Sequence, residues 1–317
     1  MTLTERATAA ARQATSEGLL VWVLVLAVAV QASFMSEFFL TNRNLSNLAG
    51  QSVPLALAAT GQMAAILIGA IDLSVGATAR IAALLTAGLI DDEPSRVIPV
   101  LLLVLLVSAA IGAVNGAMVV WLRFHPLIAT LITYTALRGV ALVYTQGPIG
   151  GVPTEASRYV HQQLLGVPYP VWFLLLVLLA FGLMLSRTRF GRSAYAVGGA
   201  PEVARRAGIN VEWVRFRMLV LCSVLAGLAG IVLAFRQGVG DPRVAEGLEL
   251  SSIVAVVIGG VSIFGGRGHL FGVMGGVVFL SIVRNAMNLQ GVEPLLQGVV
   301  TGALVIVAVA LFTRRET

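Results

Sequence analysis

Apolar residues run along this chain in long unbroken stretches separated by short polar segments. The narrow apolar stripe of a helix that faces a soluble core is missing, and most stretches are apolar on every face. A helix needs about 20 apolar residues to cross the hydrocarbon core of a bilayer. On that measure the pattern predicts ten spans, at 18–38, 52–70, 74–90, 97–122, 126–146, 171–186, 216–236, 248–264, 268–289 and 293–312. Only Asp72 and Arg80 interrupt the apolar run from 52 to 90, so that region reads either as two spans or as one broken segment. The predicted fold class is an all-α integral membrane protein forming one transmembrane domain over 1–317.

Arginine placement predicts the orientation, because cytoplasmic loops collect positive charge. With the N-terminus inside and the spans alternating, 13 of the 21 arginines fall on the inner side and five on the outer. Residues 1–17 become a cytoplasmic N-terminus, and Arg6, Arg12 and the run that follows read as an uncleaved first helix rather than a leader. Residues 147–170 become an extracytoplasmic loop, 187–215 a cytoplasmic loop and 313–317 a cytoplasmic tail. Asp91, Asp92, Glu93, Glu155, Asp241 and Glu246 gather on the outer side.

Two stretches repeat. Residues 126–145 resemble 294–313, 111–120 resemble 271–280, and Asp72-Leu73-Ser74 parallels Glu249-Leu250-Ser251. Each member lies five spans before its counterpart, and an odd offset inverts the orientation. The pattern predicts two inverted five-helix halves, 18–146 and 171–312, a plan used by many transporters.

Composition excludes several activities. The chain is 58% hydrophobic and 11% charged, and it has no lysine. A phosphate-cradling loop of the P-loop type needs a lysine on the β/γ-phosphates. This chain therefore cannot be an ATPase of that kind. Cys222 is the single cysteine, and His125, His161 and His269 are scattered, so neither a disulfide nor a metal centre is expected.

Four features carry candidate chemistry. Asp72, in Gly69-Ala70-Ile71-Asp72-Leu73-Ser74-Val75-Gly76, lies at membrane depth, where a carboxylate costs roughly 3 kcal/mol and usually marks function. It reads as a helix cap, a substrate contact or half of a gate with Arg80. Gln62, Ser74, Asn115, Thr133, Tyr134, Asn285 and Asn288 are polar side chains within or beside spans that could line a path, and each is equally suited to bonding one helix to another. The glycine-rich segment 259–268 reads as a tight turn. Within the basic loop, Pro201, Glu202, Ala204, Arg205, Arg206 and Gly208 describe a short capped helix, with Pro at its first turn and Gly at its end. Ala200, Ala204 and Ala207 give it a small face suited to a groove in a partner.

Three motifs together resemble the membrane permease of ribose-type bacterial ABC importers. They are G-A-I-D-L-S-V-G at 69–76, F-G-R-S-A-Y-A-V-G-G-A at 190–200 continuing into A-R-R-A-G-I at 204–209, and A-V-V-I-G-G-V-S-I-F-G-G-R-G at 255–268. Ala70 and Ala200 depart from the usual Gly and Asn. The resemblance implies a non-catalytic permease subunit in the bacterial inner membrane, paired with a second copy or a similar chain. It implies a cytoplasmic ATPase dimer that holds ATP and Mg, docked on the 201–208 helix, and an extracytoplasmic solute-binding protein. It implies membrane lipid as surroundings and no nucleic acid. The implied cargo is a monosaccharide such as ribose, xylose or galactose. Nucleosides, a furanose signal and branched-chain amino acids remain open, as does a secondary transporter.

Overall fold

The computed structural model describes residues 20–293, 296–300 and 302–303. Residues 1–17, the tail 313–317 and most of the predicted span 293–312 lie outside the described residues, although 296–300 and 302–303 are helical.

The described chain is helical, with one two-residue β-hairpin. The helices are α1 (Leu20–Met35), α2 (Asn42–Leu67), α3 (Val75–Ile90), α4 (Val97–Val120), α5 (Pro126–Tyr144), α6 (Thr154–His161), α7 (Tyr169–Arg187), α8 (Arg189–Gly199), α9 (Pro201–Arg206), α10 (Val211–Gln237), α11 (Leu248–Ile258) and α12 (Leu270–Leu289). A 3-10 turn, Pro94–Arg96, leads into α4. Five of these helical stretches are long and apolar enough to cross a membrane, namely Pro94–Val120, α5, α7, α10 and α12.

Burial sorts the bundle. The most apolar window of α10 is 61% buried, whereas those of α5 and α7 are each 22% buried. Thus α10 is the central post, and α5 and α7 turn most of their apolar surface outward, as lipid-facing helices do. α2 is buried almost throughout from Val53 to Leu67. The glycine pairs let the backbones close in. A Cβ on Gly112 would stand 2.7 Å from Val220 of α10, and one on Gly116 would stand 2.6 Å from the Phe216 ring. Gly276 lies against the Ala255 carbonyl of α11. These G-x-x-x-G pairs therefore serve contacts within the chain.

Helix ends depart from the predicted limits where polar residues extend a helix past its apolar run. α2 starts at Asn42 instead of 52 because Thr41 caps it, accepting from the Asn44 N–H at 3.3 Å. α10 starts at Val211 because Asn210 accepts from the Trp213 N–H at 2.9 Å. α11 ends at Ile258 instead of 264 because the chain turns at Gly260, with φ +81°. The run 52–90 is two helices separated by a turn at 68–74. α3 spans only about 24 Å and α11 about 16 Å at 1.5 Å per residue. Non-helical backbone at 68–74 and 238–247 precedes each of them; Ile68, Ala70, Asp72 and Ser74 of the first are buried, whereas Arg243 and Glu246 of the second are exposed.

The two ends of the bundle differ. At one end α8 and α9 carry five of the arginines between 187 and 217 or adjoin them, and the glycine-rich turn 259–268 lies alongside. At the other end, 147–170 folds into α6 and the hairpin Gln163–Leu164/Val167–Pro168. There Ile149 and Gly240 form a β-bridge, and the Asp92 N–H donates to the Gly151 carbonyl at 3.1 Å.

Candidate functional site

The turn between α2 and α3 brings four of the predicted path residues together. Asp72 is fully buried, and its Oδ1 accepts from the Ser74 N–H at 2.8 Å and the Ser74 hydroxyl at 2.6 Å. Asn115 of α4 donates to the Ser74 Oγ at 2.8 Å and accepts from the Thr133 hydroxyl of α5 at 2.6 Å. The Gln62 carboxamide, in the orientation that satisfies both its atoms, donates to the Asp72 carbonyl at 2.9 Å and accepts from its N–H at 3.2 Å. One polar chain thus joins α2, the 68–74 turn, α4 and α5. Thr130 adds a further tie, accepting from the Leu73 N–H at 3.1 Å and donating to the Ile71 carbonyl at 3.2 Å.

Asp72 is not the cap residue of α3. Ser74 holds that position, and the Asp72 carboxylate closes a turn onto it two residues upstream. Asp72 is also not paired with Arg80, the gate partner considered from sequence. The Arg80 Nε donates to the Val244 carbonyl at 3.3 Å, and among the described residues no ion pair joins the two. The Asp72 Oδ2 has no hydrogen-bond partner among the described residues, and the buried Cys222 thiol of α10 stands beside the carboxyl. In so enclosed a site a half-satisfied carboxylate carries a large desolvation cost.

Three other predicted path residues lie elsewhere. Asn288, exposed near the end of α12, accepts from the Gln297 carboxamide at 2.7 Å. Asn285 of α12 pairs reciprocally with Asn44 of α2, at 2.9 and 2.8 Å. Tyr134, half-buried on α5, sits next to Thr133 in sequence, outside the hydrogen-bonded chain. A second buried polar group, missed from sequence, lies around α11. The Glu249 carboxylate rests on Gly76 of α3, and Arg284 of α12 donates to the Ser251 hydroxyl at 2.5 Å. Its signal was the parallel between Asp72-Leu73-Ser74 and Glu249-Leu250-Ser251.

The short helix in the basic loop forms as its residues dictate. Pro201 opens α9, and Gly208 ends it at φ +82°. The Gly208 N–H donates to the Arg205 carbonyl and the Ile209 N–H to the Ala204 carbonyl, each at 3.0 Å. Arg205 bridges Glu202 at 2.6 Å and Glu212 of α10 at 2.8 Å. The expected small face is corrected: Ala204, 4% exposed, is turned inward, whereas Ala200 and Ala207 are exposed. A methyl-sized side chain there lets a six-residue helix lie flat on the bundle. The outward surface carries Glu202, Val203, Arg205 and Arg206, with Val203 66% exposed.

The three motifs singled out from sequence meet at one point. The Gly266 N–H donates to the carbonyl of Leu67, the last residue of α2, at 2.9 Å. Gly198 of α8 lies against the same carbonyl, and a Cβ on it would stand 2.5 Å from the Gly266 N. A Cβ on Gly265 would stand 2.8 Å from the Gly69 N. The Tyr195 hydroxyl donates to the Gly268 carbonyl at 2.9 Å, and burial pushes that phenol up, so it stays a neutral donor.

A bundle of this kind, with broken helices packed on a central post and a short helix at its basic end, invites comparison with permeases. A family model described as the branched-chain amino acid transport system / permease component matches residues 44–309. The chain belongs to this family. Curated relatives align over nearly its whole length. The D-allose transport system permease protein of Escherichia coli K12 is 35% identical over 291 residues, covering 92% of this chain and 89% of the relative. The ribose import permease protein of the same strain is 37% identical over 298 residues, covering 92% of each. The L-arabinose transport system permease protein of that strain is 36% identical over 307 residues, covering 94% and 90%. No solved structure gives a significant match. The family and the apolar helices together make this a multi-pass membrane permease component.

Proposed function

We propose that this chain is the permease subunit of an ABC importer that moves a monosaccharide across the bacterial inner membrane. The observation that carries the reading is the near-full-length similarity to ribose, allose and arabinose permeases. The family description mentions branched-chain amino acids, but the curated relatives cited above are sugar permeases. A pentose or hexose is therefore the first cargo to test.

In this reading the bundle holds ten spans in two inverted halves, with both termini cytoplasmic. Two permease subunits sit side by side, and a pair of ATP-binding subunits docks beneath them. ATP and Mg belong to those partners, and this chain binds no cofactor and catalyses no reaction. The outward surface of α9, with Val203 at its centre and Arg205 held by two carboxylates, is the docking helix for the motor. A loaded solute-binding protein rests on the opposite end, against α6 and the segment around Asp91–Asp92. The Asp72 turn acts as a pivot at the inner end of the path.

The test is uptake of labelled D-ribose, D-allose and L-arabinose by proteoliposomes holding the permease, its ATP-binding partner and its solute-binding protein. Uptake of one sugar that needs both ATP and the binding protein is expected. Uptake driven by a proton or sodium gradient without ATP would replace this reading with a secondary transporter.

A further inference from the structure

Gly198, Gly265 and Gly266 bring three segments together backbone to backbone. The Leu67 carbonyl accepts from the Gly266 N–H and packs on Gly198, so no side chain lies between α2, α8 and the 259–268 turn at that point. A side-chain contact can absorb a displacement by changing rotamer, but a backbone contact has little such slack. Leu67 leads directly into the Asp72 turn. The Gly69 N–H donates to the Ile66 carbonyl at 2.9 Å and the Ala70 N–H to the Ala65 carbonyl at 3.0 Å, which locks the start of the turn to the end of α2. Two residues after Ala70 stands Asp72, joined through Ser74 and Asn115 to Thr133. On the other side, α8 continues through Ala200 into α9.

We infer that Gly198, Gly265 and Gly266 are positioning residues that tie the α8–α9 hairpin to the 68–74 turn, so that displacement of the hairpin by a partner is delivered to the Asp72 chain. This rests on the reading of the chain as a permease driven from its basic end. The Tyr195 hydrogen bond to Gly268 is a second tie across the same joint. Gly199 supplies a matched control. A Cβ there would meet Gly266 Cα at 3.8 Å, an ordinary contact, whereas a Cβ on Gly198 must drive Gly266 and Leu67 apart.

Gly198→Ala, Gly199→Ala and Tyr195→Phe are compared in the full complex with its ATP-binding and solute-binding partners. Amide hydrogen exchange with and without ATP, and uptake of labelled D-ribose, D-allose or L-arabinose per ATP hydrolysed, are the readouts. In the wild type and Gly199→Ala, ATP is expected to change exchange in both 189–208 and 66–74. In Gly198→Ala the change in 189–208 persists, while that in 66–74 shrinks at least about threefold and uptake per ATP falls about tenfold. Tyr195→Phe gives a fall of about two- to threefold in the same ratio. If Gly198→Ala does not assemble, Tyr195→Phe decides: the same fall supports the joint, and wild-type behaviour overturns it. A response that reaches 66–74 equally in the wild type and both joint variants overturns the inference alone. A wild-type complex in which ATP changes nothing in 189–208 overturns the permease reading and the inference with it.

Discussion

Asn115 on α4 donates to the hydroxyl of Ser74, at the N-terminus of α3, at 2.8 Å, and both residues are fully buried. Ser74 in turn donates to Asp72 and Asn115 accepts from Thr133, so this bond is the middle link of a chain that crosses three helices. Removing the middle link leaves a hydroxyl on each side short of a partner. Asn115→Leu is expected to destabilise the permease by about 1–3 kcal/mol. Thermal unfolding in nanodiscs reads the loss, and an unchanged midpoint would show that the chain adds nothing to stability.

Asp72 uses one carboxylate oxygen and leaves the other without a hydrogen bond. Asn retains an oxygen that can accept both Ser74 bonds and removes the charge from a fully enclosed position. Asp72→Asn is therefore expected to keep protein abundance and to hold uptake within about threefold, while Asp72→Leu, which cannot accept, loses about 1–3 kcal/mol of stability. Immunoblotting of membranes beside uptake assays separates the two. Loss of uptake in Asp72→Asn at normal abundance would mean that the negative charge itself is used.

The five long apolar helices were legible in the apolar pattern because a bilayer imposes one length and one polarity on a crossing segment. What lies between spans was less legible. Asp72 was found by its cost at depth, but its clamp by Gln62, ten residues earlier, depends on how sharply the 68–74 turn folds the chain back. Asn285 was placed among path residues because its partner, Asn44, falls in a polar connection outside any predicted span. Six residues of α9 are too few for periodicity to tell that Ala204 faces in and Val203 out. The amphipathic α6 had local signals, with Pro153 and Glu155 at its start and Arg158 and His161 at its end, in a segment read only as a loop. The meeting of the three glycine motifs is a tertiary fact, which no spacing within a single segment encodes.

Arg205 holds Glu202 and Glu212 in short ion pairs, yet the side chains of all three are 47–76% exposed. Exposed pairs contribute little to stability and are screened by salt. Arg205→Gln is expected to leave thermal stability nearly unchanged while weakening co-purification of the ATP-binding partner, because it disturbs the surface proposed to dock it. Pull-down at low and high salt measures this. A large fall in unfolding temperature with undiminished partner recovery would instead make Arg205 a structural staple.

Two helix glycines with opposite surroundings test how far close packing governs this bundle. A Cβ on Gly230 of α10 would be driven into the Ala79 carbonyl and would stand 2.7 Å from the Ala82 Cβ on α3, whereas a Cβ on Gly139 of α5 would meet nothing within 4 Å. Gly230→Ala must separate the central post from α3, the helix that follows the Asp72 turn, and is expected to cost about 1–3 kcal/mol as overpacking. Gly139→Ala faces no such obstacle and replaces the poorer helix former, so a gain of about 0.5–1 kcal/mol is expected. Unfolding of both variants in the same nanodiscs gives the two signs directly. A gain for Gly230→Ala equal to that of Gly139→Ala would show that α10 and α3 can move apart to admit the added methyl.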